Sequence, residues 1–128
     1  VYSHLKEFDR AIELYDKAIS INNAYAEAWY NRGVAFSDLN QLKDSLNSYN
    51  EAVRINPNYA EAWYNRGNVS KALNLYDQAI DSYQKCIDIK PDFIVALYNL
   101  GLALTELNYF EQAITLYNKI LKIEPDNL

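Results

Sequence analysis

The nine residues YAEAWYNRG run from Tyr25 to Gly33 and recur unchanged from Tyr59 to Gly67. The offset is 34 residues, a spacing at which self-similarity marks one supersecondary unit repeated along a chain. Working outward, segment 26–59 matches 60–93 at 14 of 34 positions, and 60–93 matches 94–127 at 14 again. Unrelated segments would share roughly two, given ordinary residue usage. Both comparisons keep one skeleton: Ala28, Ala62, Ala96; Asn31, Asn65, Asn99; Gly33, Gly67, Gly101; Leu39, Leu73, Leu107; Tyr49, Tyr83, Tyr117; Pro57, Pro91, Pro125. Leu5, Ala11, Tyr15, Ala18 and Ile21 fall in the same register ahead of them. The expected organisation is a single array: a partial unit over 1–25 and whole units over 26–59, 60–93 and 94–127, excerpted from a longer protein.

Each unit reads as two helices. Trp29, Gly33, Phe36 and Leu39 lie on one helical stripe. After the turn 39–42, where Asn40 is a candidate terminator, the spacing Leu46, Tyr49, Ala52, Val53 resumes the period. Pro57 then ends the segment by forcing the residue before it out of the helical region. The spacing predicts helices near 8–21, 26–39, 42–55, 60–73, 76–89, 94–107 and 110–123. A two-helix unit cannot cover its own apolar face, so neighbours must stack. Gly33, Gly67 and Gly101 in helix interiors cost about 1 kcal/mol each relative to Ala. Such positions make sense if a bulky side chain sits on the backbone there, and the expected occupants are Tyr49, Tyr83 and Tyr117.

Composition narrows the function classes. Twelve Lys and Arg against 17 Asp and Glu give a net charge of −5, which disfavours a nucleic-acid partner because phosphate binding rests on clustered basic residues. No apolar stretch has the length of a membrane span, so membrane insertion is not expected. His4 is the only histidine and Cys86 the only cysteine. Neither metal-ligand clusters nor a Cys/His pair at usable spacing is present, and no glycine-rich phosphate loop occurs. The expectation is a non-enzymatic chain with no cofactor and no metal. The lone Cys86, at a small-residue packing position, reads as a buried inert thiol, and it fits a reducing, cytoplasmic compartment.

The order of Trp or Leu, Gly four residues on, then Ala, an aromatic, Ala and Pro, in AWYNRGVAF, DQAIDSYQKC and IKP, resembles the tetratricopeptide repeat family over the whole chain. There are departures. Ser70 stands where Phe36 and Leu104 stand, and it puts a hydroxyl toward the core where slack is expected. Asn23 replaces the proline, and Cys86 and Ile120 replace the small Ala18 and Ala52. The resemblance implies an all-α, right-handed superhelical solenoid of antiparallel helix hairpins whose first helices line a concave groove where peptides commonly lie.

On that implication the groove is lined by Glu27, Tyr30, Asn31, Val34 and Asp38; by Glu61, Tyr64, Asn65, Asn68 and Lys71; and by Tyr98, Asn99, Leu102 and Glu106. Asn31, Asn65 and Asn99 form a ladder. A side-chain amide offers both a donor and an acceptor group, matching one N–H and one C=O of an extended peptide backbone, and the arrangement is similar to the asparagine ladder of the O-linked N-acetylglucosamine transferase superhelix. The alternative is that these asparagines bond to an adjacent helix. Domains of the family that clamp acidic chaperone tails carry basic residues on this face. Here Tyr30, Val34, Asn65, Val95 and Asn99 occupy the clamp places, and one of the five agrees.

The carboxylates of the face, against Lys71 alone, favour neutral or basic peptides. Arg32 and Arg66 are expected to snorkel or to pair with acids of a neighbouring unit. The expected function is a protein-interaction scaffold holding an extended peptide. The rival is an architectural spacer or oligomerisation arm with an empty groove. Uncapped ends predict self-association through an apolar strip of Leu116, Ile120 and Ile123.

Overall fold

The computed structural model describes residues 2–124, with side chains from residue 5 onward. Among the described residues there are seven helices and no strand: α1 (Tyr2–Ile21), α2 (Ala26–Asp38), α3 (Leu42–Ile55), α4 (Ala60–Ala72), α5 (Tyr76–Ile89), α6 (Ile94–Glu106) and α7 (Phe110–Ile123). The six later helices follow the periodicity closely. The first departs from it: α1 starts at Tyr2 and not near residue 8. Nothing before Phe8 breaks a helix, since 2–7 holds neither Gly nor Pro. The side chain of His4 and residue Pro125 lie outside the described residues.

One turn chemistry closes all three first helices. Asn40, Asn74 and Asn108 have φ of 57°, 64° and 66°, the left-handed conformation that asparagine tolerates better than other side-chain-bearing residues. Gln41 N–H donates to the Phe36 carbonyl at 2.8 Å and Asn40 N–H to the Ser37 carbonyl at 2.9 Å. The pairs Leu75 to Ser70 and Asn74 to Lys71, then Tyr109 to Leu104 and Asn108 to Thr105, repeat it. These are Schellman closures, which satisfy carbonyls left over at a helix end. The helix after each is thereby aimed back along the one before.

The hairpins close on the glycines as expected. A Cβ added at Gly33 would lie 2.6 Å from Tyr49 Cε1, at Gly67 2.6 Å from Tyr83 Cε1, and at Gly101 2.8 Å from Tyr117 Cε1. Ser45, where other units carry Ala, is fully buried and donates to the Gly33 carbonyl at 2.7 Å. Ser70 leaves no slack: its hydroxyl is buried and donates to Gln78 Oε1 at 3.1 Å. Each tryptophan ties its helix to the preceding turn, Trp63 Nε1 donating to the Pro57 carbonyl at 2.7 Å and Trp29 Nε1 to the Asn23 carbonyl at 3.1 Å. The exchange of proline for Asn23 thus keeps the acceptor, which belongs to the backbone.

Arg32 combines both expectations, whereas Arg66 hydrogen-bonds to an amide and a hydroxyl in place of an acid. Arg32 packs its guanidinium over the Trp29 and Phe36 rings and donates to Asp16 Oδ1 and Ser48 Oγ, both at 2.7 Å. Arg66 donates to Asn50 Oδ1 at 2.6 Å and Ser82 Oγ at 2.5 Å. Each clasps the second helix of the preceding unit to the second helix of its own. Burial lowers the Arg66 pKa, and Asp81 opposes the shift.

The expected terminal strip needs correction. Ile120 is fully buried, because it occupies the inward position held by Ala18, Ala52 and Cys86 in the other units. The apolar side chains open to solvent on α7 are Phe110, Ile114, Leu121 and Ile123, with Leu116 half-buried.

Candidate peptide groove

Curvature follows from which helices touch. Beyond its sequence neighbours, α2 meets α4 and α4 meets α6, whereas α3, α5 and α7 do not meet one another. The first helices therefore crowd together on the inner side of the array and the second helices fan apart on the outer side. Of the residues read as lining that inner side, Glu27, Asp38, Tyr98, Leu102 and Glu106 are exposed. Tyr30, Asn31, Val34, Glu61, Tyr64, Asn65, Asn68, Lys71 and Asn99 are half-buried.

The asparagines and tyrosines interlock from one unit to the next. Asn65 Nδ2 donates to the Tyr30 hydroxyl at 2.9 Å, and Asn99 Nδ2 donates to the Tyr64 hydroxyl at 3.2 Å and to Asn68 Oδ1 at 3.3 Å. Asn68 Oδ1 also accepts from the Tyr83 hydroxyl at 2.5 Å. One amide N–H of Asn65 and both of Asn99 are thus committed inside the array, while their carbonyl oxygens point to no partner among the described residues. Asn31 makes no such bond among the described residues.

Two further rings belong to this surface and were not picked out by sequence reasoning. The Tyr30 ring lies 4.9 Å from that of Tyr59, and Tyr64 lies 5.1 Å from Phe93. Tyr59 and Phe93 are the N-cap residues of α4 and α6. Neither N-cap makes a side-chain hydrogen bond, although polar side chains are usual there. The recurring aromatic at 25, 59 and 93 was the available signal, with packing in place of capping as its meaning.

Electrostatics are milder than the carboxylate count suggests. Lys90, which the sequence does not place near the groove, donates to Glu61 Oε1 at 2.5 Å. That hydrogen bond lowers the Glu61 pKa and raises the Lys90 pKa. Burial, with Glu61 beside it, raises the Tyr30 pKa against the opposing Asn65 hydrogen bond. Burial pushes Tyr59 up to about 12, helped by Tyr30, Glu27 and Glu61. The phenols stay protonated at neutral pH, so Tyr30, having accepted from Asn65, keeps a proton to donate. The groove can therefore offer hydroxyl donors beside amide acceptors, in a row set by the repeat.

Away from the groove, Cys86 is fully buried and its thiol is pushed up to about 11, chiefly by that burial. A nucleophilic thiol needs the opposite surroundings, exposed and electropositive. Among the described residues no group of three His, Cys, Asp or Glu side chains could hold a metal ion, and no helix is long and apolar enough to cross a membrane.

Family comparison agrees with this geometry. Models of the tetratricopeptide repeat match residues 60–93 and 94–127, and a second TPR repeat model matches 1–39 and 35–74. The chain belongs to the tetratricopeptide repeat family, whose general role is to bind other proteins. No curated protein matches it in sequence. Among solved structures it is similar to MamA: one superposes with a TM-score of 0.86 at 31% identity, covering 92% of this chain and 64% of that one. Another superposes at 0.88 with 31% identity, covering 92% and 69%. MamA 41-end from Desulfovibrio magneticus RS-1 gives 0.83 at 22% identity over 98% and 71%, a likeness of fold. The chain spans about 64% of the length of the first of these.

Proposed function

We propose that this chain is an interaction module whose first-helix face holds an extended peptide segment of a partner protein, without catalysing a reaction. The reading rests on the row of half-buried amide oxygens at Asn65 and Asn99, which accept no bond among the described residues, with Asn31 offering both amide groups. Amide oxygens spaced one unit apart suit backbone N–H groups of an extended chain, each hydrogen bond contributing about 0.5–1.5 kcal/mol net. Glu27, Asp38 and Glu106 favour a neutral or basic segment through encounter rate and selectivity, while Glu61 is largely spent on Lys90. A reducing compartment such as the cytoplasm suits the single, buried Cys86.

The test is selection of peptides from a random library on the immobilised chain, repeated with Asn31→Ala. Asn31 is the informative position because its side chain makes no hydrogen bond among the described residues. Asn65→Ala or Asn99→Ala would also cut an internal tie. Selected peptides should lose severalfold affinity for Asn31→Ala while its melting curve is unchanged. Undiminished binding to that variant sinks the ladder.

One observation favours the rival spacer role: the donors of Asn65 and Asn99 already serve the stacking of units. If no peptide is enriched by the folded chain, the asparagines are joints and the groove is empty.

A further inference from the structure

Two junctions between first helices are described from both sides, α2 with α4 and α4 with α6. They are built alike. Each stacks a first-helix tyrosine on the aromatic ring that opens the next first helix, Tyr30 on Tyr59 and Tyr64 on Phe93, at 4.9 and 5.1 Å. Each of those tyrosine hydroxyls accepts an asparagine amide from the next helix, Asn65 and then Asn99. Glu27 stands one turn before Tyr30 and Asn31 on the same face of α2, as Glu61 does before Tyr64 and Asn65 on α4.

The polar groups at the two junctions differ. At the second, Glu61 is paired with Lys90, Phe93 has no hydroxyl, and Val95 takes the next carboxylate position. At the first, Asn56 stands one unit before Lys90, and the exposed Glu27 has no ion pair or hydrogen bond among the described residues. Tyr59 is half-buried, and its hydroxyl also bonds to nothing among them. After burial and Tyr30, Glu27 and Glu61 both raise the Tyr59 pKa, so both carboxylates act at this ring. A carboxylate in a first turn suits the helix dipole. Yet α6 forms with Val95 in that place, so helix formation does not require Glu27.

We propose that the α2–α4 junction is a subsite for one basic side chain, lysine or arginine, of the extended segment held in the groove, an inference that rests on the groove reading above. The cation donates to the free Glu27 carboxylate and to the Tyr59 hydroxyl oxygen, whose acceptor capacity is unused. Its aliphatic stem lies along the paired rings of Tyr30 and Tyr59, with the segment's backbone beside Asn31 and Asn65. One unit further on, where Phe93 and Val95 bring no free carboxylate, the segment carries an uncharged side chain. The face thus sets a register for its partner, a single basic position, beyond the general attraction of an acidic surface for basic peptides.

Peptides selected from a random library on the immobilised chain should align on one shared Lys or Arg. One of them, labelled, is titrated by fluorescence anisotropy beside a twin carrying norleucine at that position. The parent chain should favour the basic peptide about fivefold, the scale of a part-exposed charge pair. Glu27→Gln should close most of that gap and Tyr59→Phe part of it. Both variants should fold, since Glu27 is exposed and Phe93 already fills the equivalent place, and thermal melts verify it. Asp77→Asn, exposed on the outer helix α5, removes the same charge and should leave the gap open. Selected peptides without a shared basic position, or a gap that survives Glu27→Gln, overturn the subsite and leave the groove reading standing. A gap closed equally by Asp77→Asn overturns it too, since overall charge is then the cause. If the folded chain enriches no peptide, groove and subsite fall together.

Discussion

The hairpin α4–α5 and the hairpin α6–α7 share a backbone plan but not the means of tying it to its surroundings. Both close a glycine onto a tyrosine and turn on a left-handed asparagine. In the first, Arg66 reaches Asn50 and Ser82 on two outer helices, and Trp63 bonds to the turn before it. In the second, Leu100 and Leu116 stand where Arg66 and Ser82 stand, and they line one outer cleft with Ile80 and Gln84. Leu97 replaces the tryptophan and is fully buried with no bond to make. A polar clasp and an apolar contact thus serve one joint, provided that its members change together. The residues that stay the same in both hairpins are those that set backbone approach and chain reversal.

The largest test of that division is Gly67→Ala. Its new methyl would meet the ring of Tyr83, which is fully buried and whose hydroxyl is held by Asn68. A loss at the upper end of the overpacking range, about 3 kcal/mol, is expected in urea unfolding. At Gly101 the opposing Tyr117 is half-buried at an open face and can swing outward. The gain in helix propensity from Gly to Ala, about 1 kcal/mol, then offsets much of the clash. Equal losses at the two glycines would remove the distinction between an enclosed hairpin and an open one.

The exchangeable joint is tested by a cycle. Arg66→Leu or Ser82→Leu alone should each cost about 2 kcal/mol, the first by taking a hydrogen-bond donor from the buried Ser82 hydroxyl and the second by burying a guanidinium against a methyl surface. Arg66→Leu with Ser82→Leu reproduces the pair at Leu100 and Leu116, and stability should return to within about 1 kcal/mol of the parent. Additive losses in the double variant would mean that the outer contacts are fixed by each unit's backbone and not by the pair itself.

How far these features are legible in the sequence differs by kind. Gly33 against Tyr49, Asn40 as terminator and the inner placement of Cys86 could be read from repetition, because each involves one unit and a short-range spacing. The Tyr30–Asn65 bond and the Lys90–Glu61 pair could not. Each spans two units, and its partners meet only once the angle between hairpins is set. Ile120 misled for a related reason: an apolar residue at the chain's end looks exposed until its register with Ala52 is allowed to decide its direction. The inner face itself was read from family resemblance, and the contacts between first helices supply the physical reason for it.

A smaller effect should be the same in both hairpins. Asn74→Ala and Asn108→Ala each force a side chain with no local hydrogen-bonding ability into positive φ, which costs about 1–2 kcal/mol. Asn74→Gly and Asn108→Gly should be close to neutral. The two alanine variants should shift urea midpoints by similar amounts, and a clear difference would show that these turns are not equivalent parts of the skeleton.

The smallest effect concerns the position held by Ala52, Cys86 and Ile120, where units differ only in the volume they bury. Cys86→Ala restores the residue found one unit earlier and should cost about 1 kcal/mol or less at pH 7, one sulfur's worth of buried contact. Its signature is in the alkaline limb. The thiol pKa rises on folding from its ordinary value near 9 to about 11, because burial disfavours the thiolate. The folded chain therefore holds this proton more tightly than the unfolded chain does. Its contribution is whole below about pH 9 and is lost as pH rises toward 11. Urea midpoints of the parent should fall more steeply than those of Cys86→Ala between pH 9 and 11. The buried tyrosines titrate in both proteins, so the difference between the curves isolates the thiol. Parallel curves would mean that Cys86 is hydrated in solution, and that α5 does not hold this position as tightly closed as α3 holds Ala52.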